Sequence, residues 1–95
     1  MGVKVNPEEI ELLMQNLPMI KEVAIVSMSD KIIGDKLIAV VVPSPGVDNP
    51  IYTIKKHCIT LLGYYMRPRK YVLTQKLPRT TSSKIDYAEV RKIVK

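Results

Sequence analysis

Lys84 has the clearest claim to chemistry in this chain. It stands in QKLPRTTSSKID at 75–86, behind Arg79 and the four hydroxyls of Thr80, Thr81, Ser82 and Ser83. An ammonium on a flexible stem can reach a phosphoryl oxygen or a carboxylate, and hydroxyl-rich neighbours leave it free to do so. A lysine in a polar loop is also, most often, a solvated charge. The residues alone leave both readings open. A second segment, YYMRPRKY at 64–71, interleaves tyrosines with Arg67, Arg69 and Lys70. Stacking plus charge of this kind suits single-stranded nucleic acid. The segment lacks the aromatic-rich strand of an RNA-recognition motif and any GxxG loop, and Met66 and Pro68 fit a turn just as well. His57 lies beside Lys55 and Lys56 with no second histidine or placed acid, which suits solvated surface. Cys58 falls on an apolar stripe and reads as a core thiol. One cysteine and one histidine cannot make a four-ligand metal site or a disulfide framework, so no metal ligands are assigned.

The elements that must position these residues follow from pattern. Residues 6–17 predict a helix. Asn6 is a good N-cap, Pro7 suits the first helical position, and Glu9 stands where a capping box has its acid. Ile10, Leu13, Met14 and Leu17 form one stripe, and Pro18 stops the helix. EVAIVSM at 22–28 and KLIAVVV at 36–42 predict two strands, joined too closely for a parallel crossover and therefore an antiparallel hairpin. The unbroken apolar run places the second strand at the centre. PSPGVDNP at 43–50 is a loop. Residues 51–62 predict a helix with Ile51, Ile54, Cys58 and Leu61 or Leu62 on one face, opened by Asn49 and Pro50 and closed by Gly63. KYVLT at 70–74 predicts a third strand. Asp86 can cap a last helix with Tyr87, Val90 and Ile93 or Val94 inward. The order α-β-β-α-β-α makes an α+β fold, a small three-stranded sheet with helices packed on it.

The whole is 95 residues, which suits a single domain over 1–95. A formal charge of +6 is concentrated in the C-terminal half, where Asp86 and Glu89 are the only acids after residue 50. Such a surface attracts anions: nucleic acid, phosphate-bearing cofactors or an acidic partner. Without a base-reading motif, no specific nucleic acid is expected. No apolar stretch is long enough to span a membrane, and acids occupy the place of a signal peptide's apolar run, so a cytoplasmic location is expected.

Five segments fall in one order: GVKVNPEEIE at 2–11, EVAIV at 22–26, GDKLIAVVV at 34–42, YMRPR at 65–69 and LPRTTSSKID at 77–86. Together they resemble the C-terminal domain of the adenylate-forming, AMP-binding enzymes: acyl-CoA synthetases, carrier-protein-loading adenylation domains and their relatives. The resemblance covers essentially the whole chain. It implies a mobile domain of an AMP-forming acid–thiol ligase, in which a carboxylate first attacks the α-phosphate of ATP and a pantetheine thiol then takes the acyl group. The family's large N-terminal domain, with its nucleotide and acyl pockets, is not in this sequence. An excised domain or a natural stand-alone half would both read this way, and either would be inactive without an N-terminal adenylation domain.

The resemblance further implies residue roles. Lys84 would be the adenylation lysine, bridging the substrate carboxylate and phosphate or ribose oxygens. Gly2, Lys4, Arg79, Ser82 and Ser83 would contact the cofactors. These are ATP, with Mg2+ held through the N-terminal domain, and CoA or a carrier protein's phosphopantetheine as acceptor. In the thiol-transfer pose the loop at Gly2 to Val5 would line the approach of the thiol. Two positions depart from the family pattern: Ser83 replaces a glycine, and Tyr87 stands where many members have arginine. The alternative is a nonenzymatic interaction module of the same fold that docks a carrier protein or another partner. A basic nucleic-acid-binding domain is the third reading.

Overall fold

The structure, a computed structural model, describes residues 6–32 and 34–94. Asn6 opens helix α1, Pro7–Gln15, by accepting the Glu8 N–H on its side chain at 3.0 Å. The helix ends short of Leu17 because Pro18 disfavours helical backbone in the residue before it. Ile10 and Met14 are buried, whereas Leu13 sits at the boundary of the stripe.

Strands β1, Ile20–Asp30, and β2, Gly34–Pro43, pair antiparallel with Val23 opposite Val41 and Ser27 opposite Leu37. Both outrun their apolar stretches, because pairing continues through Ser29–Asp35 to Asp30–Gly34. Gly34, at φ 81°, turns the hairpin in the left-handed region. Helix α2, Pro50–Leu61, then crosses over, and β3, Lys70–Leu73, joins β2 in parallel with Ile38 opposite Lys70. The order β1-β2-β3 makes β2 central, as its composition requires. Strand period sorts the core into two faces. Val23, Ile25, Leu37, Ala39 and Val41 meet Ile10, Met14, Ile54 and Cys58 from α1 and α2. Ala24, Val26, Ile38, Val40 and Val42 meet Leu77, Val90 and Val94 on the other side. Leu77 and the last helix, α3 at Tyr87–Ile93, thus anchor both flanks of the Lys84 loop.

One helix end differs from expectation. Gly63 follows the C-cap Leu62 of α2 but has φ −63° and ψ 159°, so the chain leaves the helix extended and uses none of glycine's freedom. Arg67 covers the helix end instead, donating from Nε to the Leu62 carbonyl and from Nη2 to the Ile59 carbonyl, both at 3.0 Å. Helix α3 starts as expected, with the Asp86 carboxylate accepting the Glu89 N–H at 3.2 Å. No helix among the described residues is long and apolar enough to cross a membrane.

The two helical layers are clasped at the outer edge of β1. Glu11 of α1 accepts the Ile25 N–H at 2.8 Å and the Tyr87 hydroxyl at 2.8 Å. Burial, then the hydrogen bond and charge of Glu11, push the Tyr87 hydroxyl up to about 12. A group raised in the folded state favours folding fully below its unfolded value. This contribution is therefore complete below about pH 10 and is lost as pH rises towards 12. Tyr87→Phe is expected to cost about 1.5–3 kcal/mol at neutral pH, the range for a hydrogen bond to a charged group. The drop in urea midpoint measures it, and the deficit relative to wild type should shrink above pH 10.

Candidate functional site

Residues 78–86 are not an open loop. Asp86 N–H donates to the Pro78 carbonyl at 2.9 Å, Arg79 bridges Ile85 as an antiparallel pair, and Thr80 N–H donates to the Lys84 carbonyl at 2.8 Å. Ser83 N–H closes the tip onto the Thr80 carbonyl at 2.9 Å, and Ser83 itself lies at φ 68°. A turn followed by one left-handed residue is the standard three-residue hairpin loop, which favours glycine at that last position. Ser83 adopts the left-handed conformation all the same. It therefore carries strain of about 1–2 kcal/mol for an L-residue. Relief of that strain, less the extra freedom glycine gives the unfolded chain, predicts that Ser83→Gly stabilises the fold by about 0.5–1 kcal/mol. A urea midpoint at or below that of wild type would show that the hydroxyl or the neighbouring contacts outweigh the strain.

The remaining residues picked out by sequence sort as follows. Lys84 is exposed at the hairpin tip, and no described residue pairs with its ammonium. Ser82 shares a hydrogen bond of 3.1 Å with Thr80 through their hydroxyls. Arg79 donates from Nη1 to the Ser83 carbonyl at 2.9 Å and from Nη2 to the Glu22 carboxylate. Glu22 had no signal in the sequence, since it is an isolated acid on a strand 57 residues away. Gly2 and Lys4 lie outside the described residues.

The basic aromatic segment resolves into structure. Tyr64–Met66 is a short 3-10 turn, Pro68 is buried, and Arg67 caps α2 with its guanidinium 5.9 Å from the centre of the Tyr64 ring. Cys58 is 1% exposed, and its thiol is pushed up by burial against the opposing effects of Tyr71 and Arg67, so it is a core residue rather than a nucleophile. His57 is exposed and bonds through Nδ1 to the Thr53 carbonyl at 2.9 Å.

Can this surface hold a nucleotide by itself? A cleft of about 430 Å³ opens at the edge of β1, lined by Glu8, Glu11, Leu12, Ile25, Tyr87 and Arg91. Its two carboxylates oppose a phosphate, and Lys84 is not among its walls. Among the described residues no group of three His, Cys, Asp or Glu side chains could hold a metal ion. The arrangement offers, among the described residues, an ammonium without a partner on a hydrogen-bonded tip, away from the cleft at β1. It suits a charge delivered into a pocket built elsewhere.

Comparison with known proteins identifies the fold's relatives. A family model described as the AMP-binding enzyme C-terminal domain matches residues 9–84. A salicylyl-CoA synthase / salicylate adenylyltransferase from a Streptomyces species is 30% identical over 99% of this chain and 17% of its own length. The 4-coumarate–CoA ligase 3 of Oryza sativa subsp. japonica is 33% identical over 95% of this chain and 16% of its own. A Mycobacterium tuberculosis fatty acyl CoA synthetase superposes with a TM-score of 0.83 at 30% identity, over 97% of this chain and 18% of that one. The chain thus spans less than a fifth of the length of these relatives. The match of the three-stranded mixed sheet, the helix order and most of the sequence places the chain in the family of AMP-binding enzyme C-terminal domains.

Proposed function

We propose that this chain is the mobile C-terminal domain of an AMP-forming carboxylate–thiol ligase and that Lys84 is its adenylation lysine. The observation that carries the reading is the exposed ammonium of Lys84, with no partner among the described residues, at the tip of a closed hairpin. The hairpin fixes the backbone from which the side chain springs, and a charge brought to bear on developing negative charge is usually the largest single device in catalysis of this type. Lys84 would bridge the substrate carboxylate and the phosphate or ribose oxygens, bringing the attacking oxygen into line and offsetting charge as it builds. Ser82 and Ser83 lie beside it for hydrogen bonds to the same nucleotide. ATP would supply the electrophilic phosphorus and the pyrophosphate leaving group, and Mg2+ would be held by the N-terminal domain. Relatives named as CoA synthases and ligases favour coenzyme A over a carrier protein as the acceptor.

A chain that brings a lysine but no pocket should be silent by itself. Alone, it is expected to release no pyrophosphate from ATP with any carboxylic acid. Joined to its N-terminal adenylation domain, covalently or in trans, it should restore release. Pyrophosphate release by that N-terminal domain at the full rate without this chain would defeat the proposal.

A further inference from the structure

We propose that Glu22 and Arg79 form a brace that positions Lys84 for adenylation, a role that rests on the reading of Lys84 just given. The guanidinium of Arg79 is a fork with two distinct tines. Nη1 holds the Ser83 carbonyl at 2.9 Å, and Nη2 holds the Glu22 carboxylate. The Ser83 carbonyl belongs to the peptide unit that carries Lys84, so its direction sets the path of the lysine backbone. Ser83 is also the residue held at φ 68°, the one place in the hairpin where the backbone has most to gain by relaxing. Glu22 gives the brace a fixed origin, because its neighbours Val23 and Ala24 are buried on opposite faces of the sheet. Its own side chain is 27% exposed, against 43% for Arg79, so the pair is partly sheltered from solvent screening. A planar guanidinium can satisfy a carboxylate and a carbonyl at once in fixed geometry, whereas a lysine ammonium is a point charge without that fork.

The brace also redefines Arg79, whose residue type and place in the motif suggest a cofactor contact. Two of its five N–H donors are committed within the chain, one to Ser83 and one to Glu22, so the brace sets the plane of the guanidinium. Arg79 is then a positioning residue that acts through Lys84, and Glu22 shares that role without touching any ligand. The two proposals separate cleanly by experiment.

The test uses the two-domain enzyme. Four variants are made: Glu22→Gln, Arg79→Ala, their double, and Arg79→Lys as the conservative change. The expected result is a fall in kcat for pyrophosphate release of about 10- to 100-fold, the penalty for a catalytic group displaced by around an ångström. The double variant should be no worse than Arg79→Ala, because both changes remove one interaction. KM for ATP and thioester formation from preformed acyl-adenylate should stay at wild-type values, and Arg79→Lys should not rescue. A wild-type rate in Glu22→Gln with a raised KM for ATP in Arg79→Ala would make Arg79 a direct ligand and overturn the brace. Equal loss of both half-reactions in Glu22→Gln would make the pair a fold contact only, and would also overturn it. If Arg79→Ala does not fold, the near-isosteric Glu22→Gln decides alone. Lys84→Ala runs in parallel. A severe loss there beside wild-type brace variants refutes the brace only, whereas an inert Lys84→Ala refutes the lysine's role itself.

Discussion

Lys84→Ala, in the enzyme carrying its N-terminal domain, is expected to cut acyl-adenylate formation by on the order of 10²-fold or more, the loss seen when one preorganised charge-stabilising group is removed. Folding should be untouched, because the side chain is exposed and no described residue pairs with it. Thioester formation from synthetic acyl-adenylate should hardly change, since the role proposed for the lysine belongs to the first half-reaction. Lys76→Ala is the control for bulk charge: it is exposed, lies in the same segment, and contributes only its backbone carbonyl to a bond from Thr74. If Lys84→Ala harmed both half-reactions alike, or no more than Lys76→Ala, Lys84 would be ordinary surface.

The largest effect on stability is expected at the centre of the helical layer. Ile54 is 0% exposed and fills the space between α2 and the face of the sheet made by Val23, Ala39 and Val41. Ile54→Ala removes three buried carbons and leaves a cavity that a close-packed interior fills only in part, a change worth about 2–5 kcal/mol. A domain of this size has about 5–14 kcal/mol in total, so the variant should lose a large share of it. Leu12→Ala, at 69% exposed, should change the stability obtained from urea unfolding by no more than about 0.5 kcal/mol. Similar losses at the two positions would mean that α2 does not pack on the sheet as described.

Much of this fold was legible in the sequence because its determinants are local. The run KLIAVVV marks a strand buried on both faces, and β2 is that strand. Asn6 and Asp86 announce helix starts through their own side chains, and both cap as expected. Helix ends were less legible. Leu62 and Val94 are buried just beyond α2 and α3, where an apolar stripe continues after the hydrogen-bond ladder has stopped. Gly63 looked like a left-handed cap, but Arg67 does the capping from five residues downstream. At the candidate site, Lys84 and its hydroxyls were visible as a motif. The brace was not, because Glu22 and Arg79 are 57 residues apart and no period links them. The same holds for Glu11 and Tyr87, 76 apart. Such pairs exist only once the sheet has brought α1, β1 and the hairpin together.

The contact between Glu11 and the Ile25 N–H has a consequence for behaviour at high concentration. β1 is an outer strand whose central residues Val23, Ala24, Ile25 and Val26 are apolar on both sides. A short β-prone stretch with an open row of backbone donors is the template on which chains stack edge to edge into fibrils. Glu11 occupies one of those donors in the middle of the strand and sets a carboxylate where an incoming strand would lie. A second copy would have to displace that carboxylate and desolvate it before the first rung could form. That obstacle to edge-to-edge pairing rests on the same carboxylate that ties α1 to Tyr87 of α3.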